Sequence, residues 1–274
     1  MKRSFTLTLA TLAVSLTAHG QSLNINGTSY AGYFSPAGDV TVNTPVSGLL
    51  SISLGGTASG SLNSYWTAQA DGGAVLATLG VPLANTGAQV ALTGSALEFN
   101  ISNNTSVLGA LGIGTSLGLD WSATSKFNVG GNQLVLAPNT TYQVSFDLAS
   151  GSGLLNSTLG ITPHFNLQLL DGAGTAVGTS SSGSLVNILG LSLVNVVGAP
   201  TPTETATVQF TTGSSVGSGA ASLVFSGDAL VPVTALGIGT NFATVSNVGI
   251  NAVPESSSLA IAALGGLLAI RRRR

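Results

Sequence analysis

From Gln21 onward, apolar and polar residues alternate in short runs that Gly, Asn, Ser or Pro interrupt every few positions. The clearest run is Thr141 to Leu148. Tyr142, Val144, Phe146 and Leu148 fall on one side and Gln143, Ser145 and Asp147 on the other, the period of two that a half-buried strand requires. Similar β-branched and apolar runs predict strands at Gly48–Leu54, Gln89–Leu92, Leu97–Ile101, Leu117–Trp121 and Gln133–Leu136. Further strands are expected at Phe165–Leu170, Ser184–Leu193, Thr205–Thr211, Ala221–Phe225 and Ala243–Ile250. No segment of this body carries the longer period of an amphipathic helix. Short strands with regular turn signals predict an all-β fold, an antiparallel β-sandwich. Asp171-Gly172-Ala173-Gly174 predicts a hairpin turn. The hexapeptide Ala-Leu-Gly-Ile-Gly-Thr occurs at Ala110–Thr115 and again at Ala235–Thr240, and both copies are expected to be connections entering strands. Gly151–Gly160 reads as a long loop or a short helical excursion.

The pattern changes at both ends. Residues 1–20 read as a signal peptide: Lys2 and Arg3 supply the positive start, Phe5–Leu16 the apolar helix, and Ala18 and Gly20 the small residues before a cleavage site at Gln21. At the other end, residues 252–274 form a tail. Its order is Val253-Pro254-Glu255-Ser256, an apolar helix over 257–270, and Arg271, Arg272, Arg273 and Arg274. The twelve residues Leu259–Ile270 rise about 18 Å as a helix, short of a hydrocarbon core of about 30 Å. That makes a marginal permanent anchor and an adequate transient transmembrane helix, held by arginines on the cytoplasmic side. The ectodomain between the two ends is residues 21–251.

Composition narrows the function classes. Only 6% of residues are charged, and the interior is solvated by Ser, Thr, Asn and Gly. Six of the seven basic residues lie at the ends, which leaves 7 − 6 = 1 in the body, Lys126. The body keeps Asp39, Asp71, Glu98, Asp120, Asp147, Asp171, Glu204 and Asp228. A mildly acidic body without a basic patch has nothing to neutralise phosphates, which excludes nucleic-acid binding. With no cysteine there is no disulfide, thiolate metal site or thiol nucleophile.

Chemistry-bearing residues are few. His164 is the one imidazole left after signal removal, and no nucleophile elbow accompanies it. Glu98, expected in a strand, and Glu204, expected in a loop, have no spacing that argues for a glycosidase pair. Asp171 and Asp228 sit beside glycines, where turn chemistry is favoured over an oxygen-rich calcium site. The candidate carbohydrate platform is Tyr65 with Trp66, in the polar stretch Asn63-Ser64-Tyr65-Trp66-Thr67, whereas Trp121 is expected in the core. No cofactor, metal or catalytic residue is expected.

The tail's three parts, in that order, resemble the PEP-CTERM sorting domain, with Ser256 in place of the family's second proline. The resemblance covers residues 253–274. It implies export through the Sec translocon and transient insertion in the inner membrane. An exosortase-like enzyme would then cut near Pro254-Glu255, and the product would pass to the cell surface or extracellular matrix. Residues 130–251 resemble a jelly-roll module of the carbohydrate-binding type. The pieces that match are Leu136–Phe146, Phe165–Gly172, Thr205–Thr211, Ala221–Phe225 and Thr244–Ile250. Residues 21–129 would complete the same sandwich. The expected protein is a non-enzymatic structural or adhesive component of an exopolysaccharide matrix. A carbohydrate-binding module is the alternative, and a secreted hydrolase ranks last.

Overall fold

The computed structural model describes residues 22–25, 27–44, 48–79, 81–103, 116–129, 132–150, 164–178, 186–187, 204–232 and 240–253. The expected signal helix, the tail from Pro254 onward and the stretch Gly151–Gly160 lie outside them. Among the described residues every regular element is a strand, and no helix is long and apolar enough to cross a membrane.

The strands are β1 (Ser22–Ile25), β2 (Thr28–Ala31), β3 (Gly38–Thr41), β4 (Leu50–Leu54), β5 (Thr57–Ser61), β6 (Trp66–Asp71), β7 (Gly73–Thr78), β8 (Val81–Leu92) and β9 (Leu97–Asn103). They continue as β10 (Ser116–Lys126), β11 (Asn128–Val129), β12 (Asn132–Gln133), β13 (Thr141–Ser150), β14 (His164–Leu170), β15 (Val186–Asn187), β16 (Glu204–Thr211), β17 (Ser222–Pro232) and β18 (Thr240–Val253). The large sheet has ten strands, with the path β16-β13-β18-β9-β8-β7-β4; β1 and β3 attach to β18 and β8, and β2 to β1. The small sheet has six, in the order β15-β14-β17-β10-β6-β5. Pairing is antiparallel apart from β1, which runs parallel to β18 with Asn24 beside Gly249. That pair departs from the all-antiparallel expectation.

Alternation places the core. Tyr142, Val144, Phe146 and Leu148 of β13 are buried, and the residues between them are partly exposed. Both tryptophans and most phenylalanines fill the space between the sheets. Phe225 of the small sheet meets Phe146 of the large sheet edge to face at 5.3 Å between ring centroids. It also packs against Trp66 at 6.0 Å and Phe165 at 6.1 Å. A second contact between the sheets joins Phe99 to Phe165 at 5.6 Å. Such edge-to-face pairs add to the area each ring buries.

Glycines let the chain change sheets. β4 passes to β5 through Gly55-Gly56, and β6 returns to β7 through Gly72, so one long hairpin folds across both layers. The corner is tied by Gly55 N–H to Gly73 O at 2.8 Å and Gly72 N–H to Gly56 O at 2.9 Å. Gly72 has φ +93°, and a Cβ there would lie 2.2 Å from Gly118 O. Only glycine serves both the turn and the close approach.

Of the two hexapeptide copies only Thr240 is among the described residues; the rest is placed by sequence order. One ends immediately before β10, on the way from the large sheet to the small one. The other ends on Thr240, the first residue of β18, on the way back. The strands on either side of these stretches pair reciprocally, β9 with β18 and β10 with β17.

Phe225→Ala should cost about 3–5 kcal/mol in chemical unfolding, because it removes the ring at the meeting point of the sheets. Ser226→Ala, one position along and outward-facing, should stay within about 0.5 kcal/mol of the parent. Similar losses from both changes would contradict this placement of the core.

Candidate functional site

The outer face of the small sheet is a lattice of short polar side chains. Register aligns them in rows that cross the strands. One row runs Ser61, Thr67, Thr124, Val224 and Gln168. The next runs Ser59, Gln69, Ser122, Ser226 and Asn166. Neighbouring strands lie about 4.8 Å apart, so the rows present polar groups at a short, regular spacing. Part of this face is a shallow depression of about 420 Å³, lined by Ser59, Gly60, Ser61, Thr67, Ala68, Gln69, Ser122 and Thr124.

The third row carries charge. Asp71, Asp120 and Asp228 stand at adjacent register on β6, β10 and β17, and His164 opens β14 opposite Asp228. Asp71 Oδ2 accepts from Gln69 Nε2 at 2.9 Å, while its Oδ1 is shielded and unpaired. Loss of hydration, then the charges of Asp228 and Asp71, hold the Asp120 carboxyl above the usual carboxylate range. Lys126, the body's only cation, lies six residues along β10, roughly 20 Å away at strand rise. Among the described residues, no three acidic or histidine side chains stand in metal-holding positions.

The candidate residues from the sequence have varied fates. Trp66 is not an exposed platform: it is fully buried at the start of β6. Asn63 turns it inward, its Oδ1 accepting from the N–H groups of Tyr65 and Trp66, both at 2.9 Å. The Trp66 indole N–H donates to Tyr33 O at 3.0 Å, so its polar atom is satisfied inside. Tyr65 is half-buried, with its ring edge-on to Tyr33 at 5.6 Å. Trp121 is buried in β10, as expected.

Asp171 does turn chemistry. Its carboxylate accepts from the N–H groups of Ala173 at 3.0 Å, Thr175 at 2.8 Å and Gly217 at 2.8 Å. Burial pushes that carboxyl up, but the backbone donors outweigh it and leave it lowered. The predicted hairpin turn forms there, with Asp171 N–H bonded to Thr175 O at 2.9 Å. Asp228 is not in a turn. Its neighbour Gly227 lies inside β17, opposite Trp121 on one side and Phe165 on the other, where two large residues flank a position without a side chain. Glu204 opens β16 rather than lying in a loop, and two strands of the large sheet separate it from Glu98 on β9. The backbones are therefore roughly 14 Å apart, beyond the usual separation of glycosidase carboxylates.

Of the expected sorting motif, Val253 is the last described residue of β18 and pairs with Thr141. Pro254, Glu255 and Arg271 to Arg274 lie outside the described residues. The row of aspartates and the polar lattice were missed from the sequence, because cross-strand register brings them together from distant segments.

The fold and site thus define an all-β protein with two main sheets and a two-stranded one, β11-β12, and with a polar outer face and an acidic row along the six-stranded sheet. No family model matches the chain, and no curated protein matches it. Among solved structures it is similar to a cyclase from Fischerella sp. TAU in complex with 4-(1H-indol-3-yl)butan-2-one. That likeness has 16% identity and a TM-score of 0.32, covering 85% of this chain and 98% of the cyclase. Another cyclase structure from the same organism aligns at 14% identity and TM-score 0.28, covering 82% and 96%. Similarity at these scores carries no argument about fold or activity.

The aspartate row sets a pH dependence. A carboxyl raised in the folded state binds its proton more tightly there than in the unfolded chain. Its stabilising contribution is complete below the ordinary carboxylate range and is lost as pH rises through the raised value. Asp120→Asn should therefore raise the thermal midpoint at pH 7 and leave it nearly unchanged at pH 3. An equal or lower midpoint at pH 7 would show that the three carboxylates do not oppose one another.

Proposed function

We propose that this protein is exported, sorted through its C-terminal tail, and acts at the cell surface or in the extracellular matrix as a structural or adhesive component. In this reading the two sheets form a jelly-roll-like sandwich, and the tail is a substrate for an exosortase-like processing enzyme. The Sec translocon and a transient stay in the inner membrane precede release.

The observation that carries the reading is the junction at Val253. Val253 is the last described residue of β18, and Pro254-Glu255, the apolar stretch and the arginine cluster follow it in the sequence. That order, with the motif next in sequence to a residue of the last described strand, supports a sorting signal appended to a folded domain. The low charge of the body supports an adhesive role, because neutral polar faces suit contact with hydrated, uncharged polymer.

Deleting residues 254–274 leaves β18 intact. It should convert a cell-retained protein into one found free in the culture medium. Fractionation of the truncated chain identical to that of the parent would reject the sorting role.

A further inference from the structure

The two outer faces use their hydrogen-bonding groups differently. On the large sheet, outward side chains bond one another. Gln89 Nε2 donates to Thr41 Oγ1 at 2.8 Å and to Asp39 Oδ2 at 3.2 Å. Asn100 Nδ2 donates to Glu98 at 3.2 Å, and Thr205 Oγ1 donates to Asp147 at 2.6 Å. The Thr141 and Thr211 hydroxyls lie 3.1 Å apart. On the small sheet, Gln69 bonds Asp71 and Thr67 makes a long contact to Thr124 O at 3.5 Å. Ser59, Ser61, Ser122, Ser226, Asn166 and Gln168 make no side-chain hydrogen bond to another group among the described residues. Ser59 and Ser61 are exposed, and Ser122, Ser226, Asn166 and Gln168 are partly exposed.

We infer that the outer face of the small sheet, centred on the depression between Ser59 and Thr124, docks an uncharged polysaccharide chain. Serine and threonine hydroxyls and the Gln and Asn amides both donate and accept, as sugar hydroxyls do. A polyol can therefore replace the water on this lattice bond for bond. Short side chains keep the floor open along the depression. Charge selects the partner. Asp71, Asp120 and Asp228 border the lattice, so a polyanion meets repulsion, and Lys126 is the only cation in the body to hold one. With hydrogen bonds alone, each sugar is held weakly. Retention grows when one polymer spans several copies of the protein. The inference rests on the matrix reading above for the polymer's presence, but it concerns a different part of the molecule.

The test is retention of the purified full-length protein on beads carrying cellulose, galactomannan or dextran, with alginate beads as the polyanion. The parent should be retained on at least one neutral polymer and less on alginate. Ser122→Arg, on the β10 side of the depression, should weaken that retention at least about tenfold. Ser59→Arg, exposed on the edge strand β5, should do the same and serves if Ser122→Arg does not fold. Gln209→Arg, exposed on β16 of the large sheet, should retain as the parent does. The inference is overturned by retention on no neutral polymer, by preference for alginate, or by equal behaviour of the arginine variants on the two sheets. Deletion of 254–274 should leave bead retention unchanged while altering cell fractionation, so failure of docking and failure of sorting give separate signatures.

Discussion

Everything in this molecule depends on the contact between the two sheets, and that contact converges on Phe225. Its ring touches Trp66 and Phe165 within the small sheet and Phe146 across the gap. The chain has no cysteine, so no disulfide shares the work. Apolar burial between the layers carries the stability, and period-two alternation then commits every second residue to an outer face. The outer faces are polar because the inner ones are so fully apolar. A surface of hydroxyls and amides, with very few ions, is what remains for contact with other molecules.

The corner at Gly55-Gly56 and Gly72 turns that arrangement into a site. By carrying one hairpin from the large sheet to the small one, it lays β5 and β6 beside β10. Ser59 and Gln69 thereby join the row that Ser122, Ser226 and Asn166 extend. The same pairing aligns Asp71, Asp120 and Asp228, a costly juxtaposition in a chain so poor in charge. Its consequence is a negative border on an otherwise neutral face.

How much could be read from the sequence depended on side-chain size. β13 was legible because large apolar residues alternate with polar ones. Several C-terminal strands were located for the same reason, although β17 and β18 run further than expected. β5 to β7 were not legible. Their inward positions include Ala68, Ala70 and Ala74, which are buried but carry little hydrophobic signal. Trp66 was misplaced because the polar Asn63-Ser64 before it suggests an exposed loop, whereas Asn63 caps the turn that buries the indole. The aspartate row and the hydroxyl lattice depend on register between strands far apart in the chain, which local pattern does not encode. The proposed sorting motif is a linear pattern that needs no register, and of its residues only Val253 is among the described ones, in β18.

In the proposed reading, a folded ectodomain that faces polymer is joined to a tail that is removed. Intact mass and terminal-peptide analysis of the protein recovered from cells and from the extracellular matrix tests that union most directly. The matrix form should begin at Gln21 and end near Pro254-Glu255, with the full tail found only in the cell-associated form. A matrix form that still carries Arg271 to Arg274, or a chain retained in cells with both ends intact and no processed product, would contradict it.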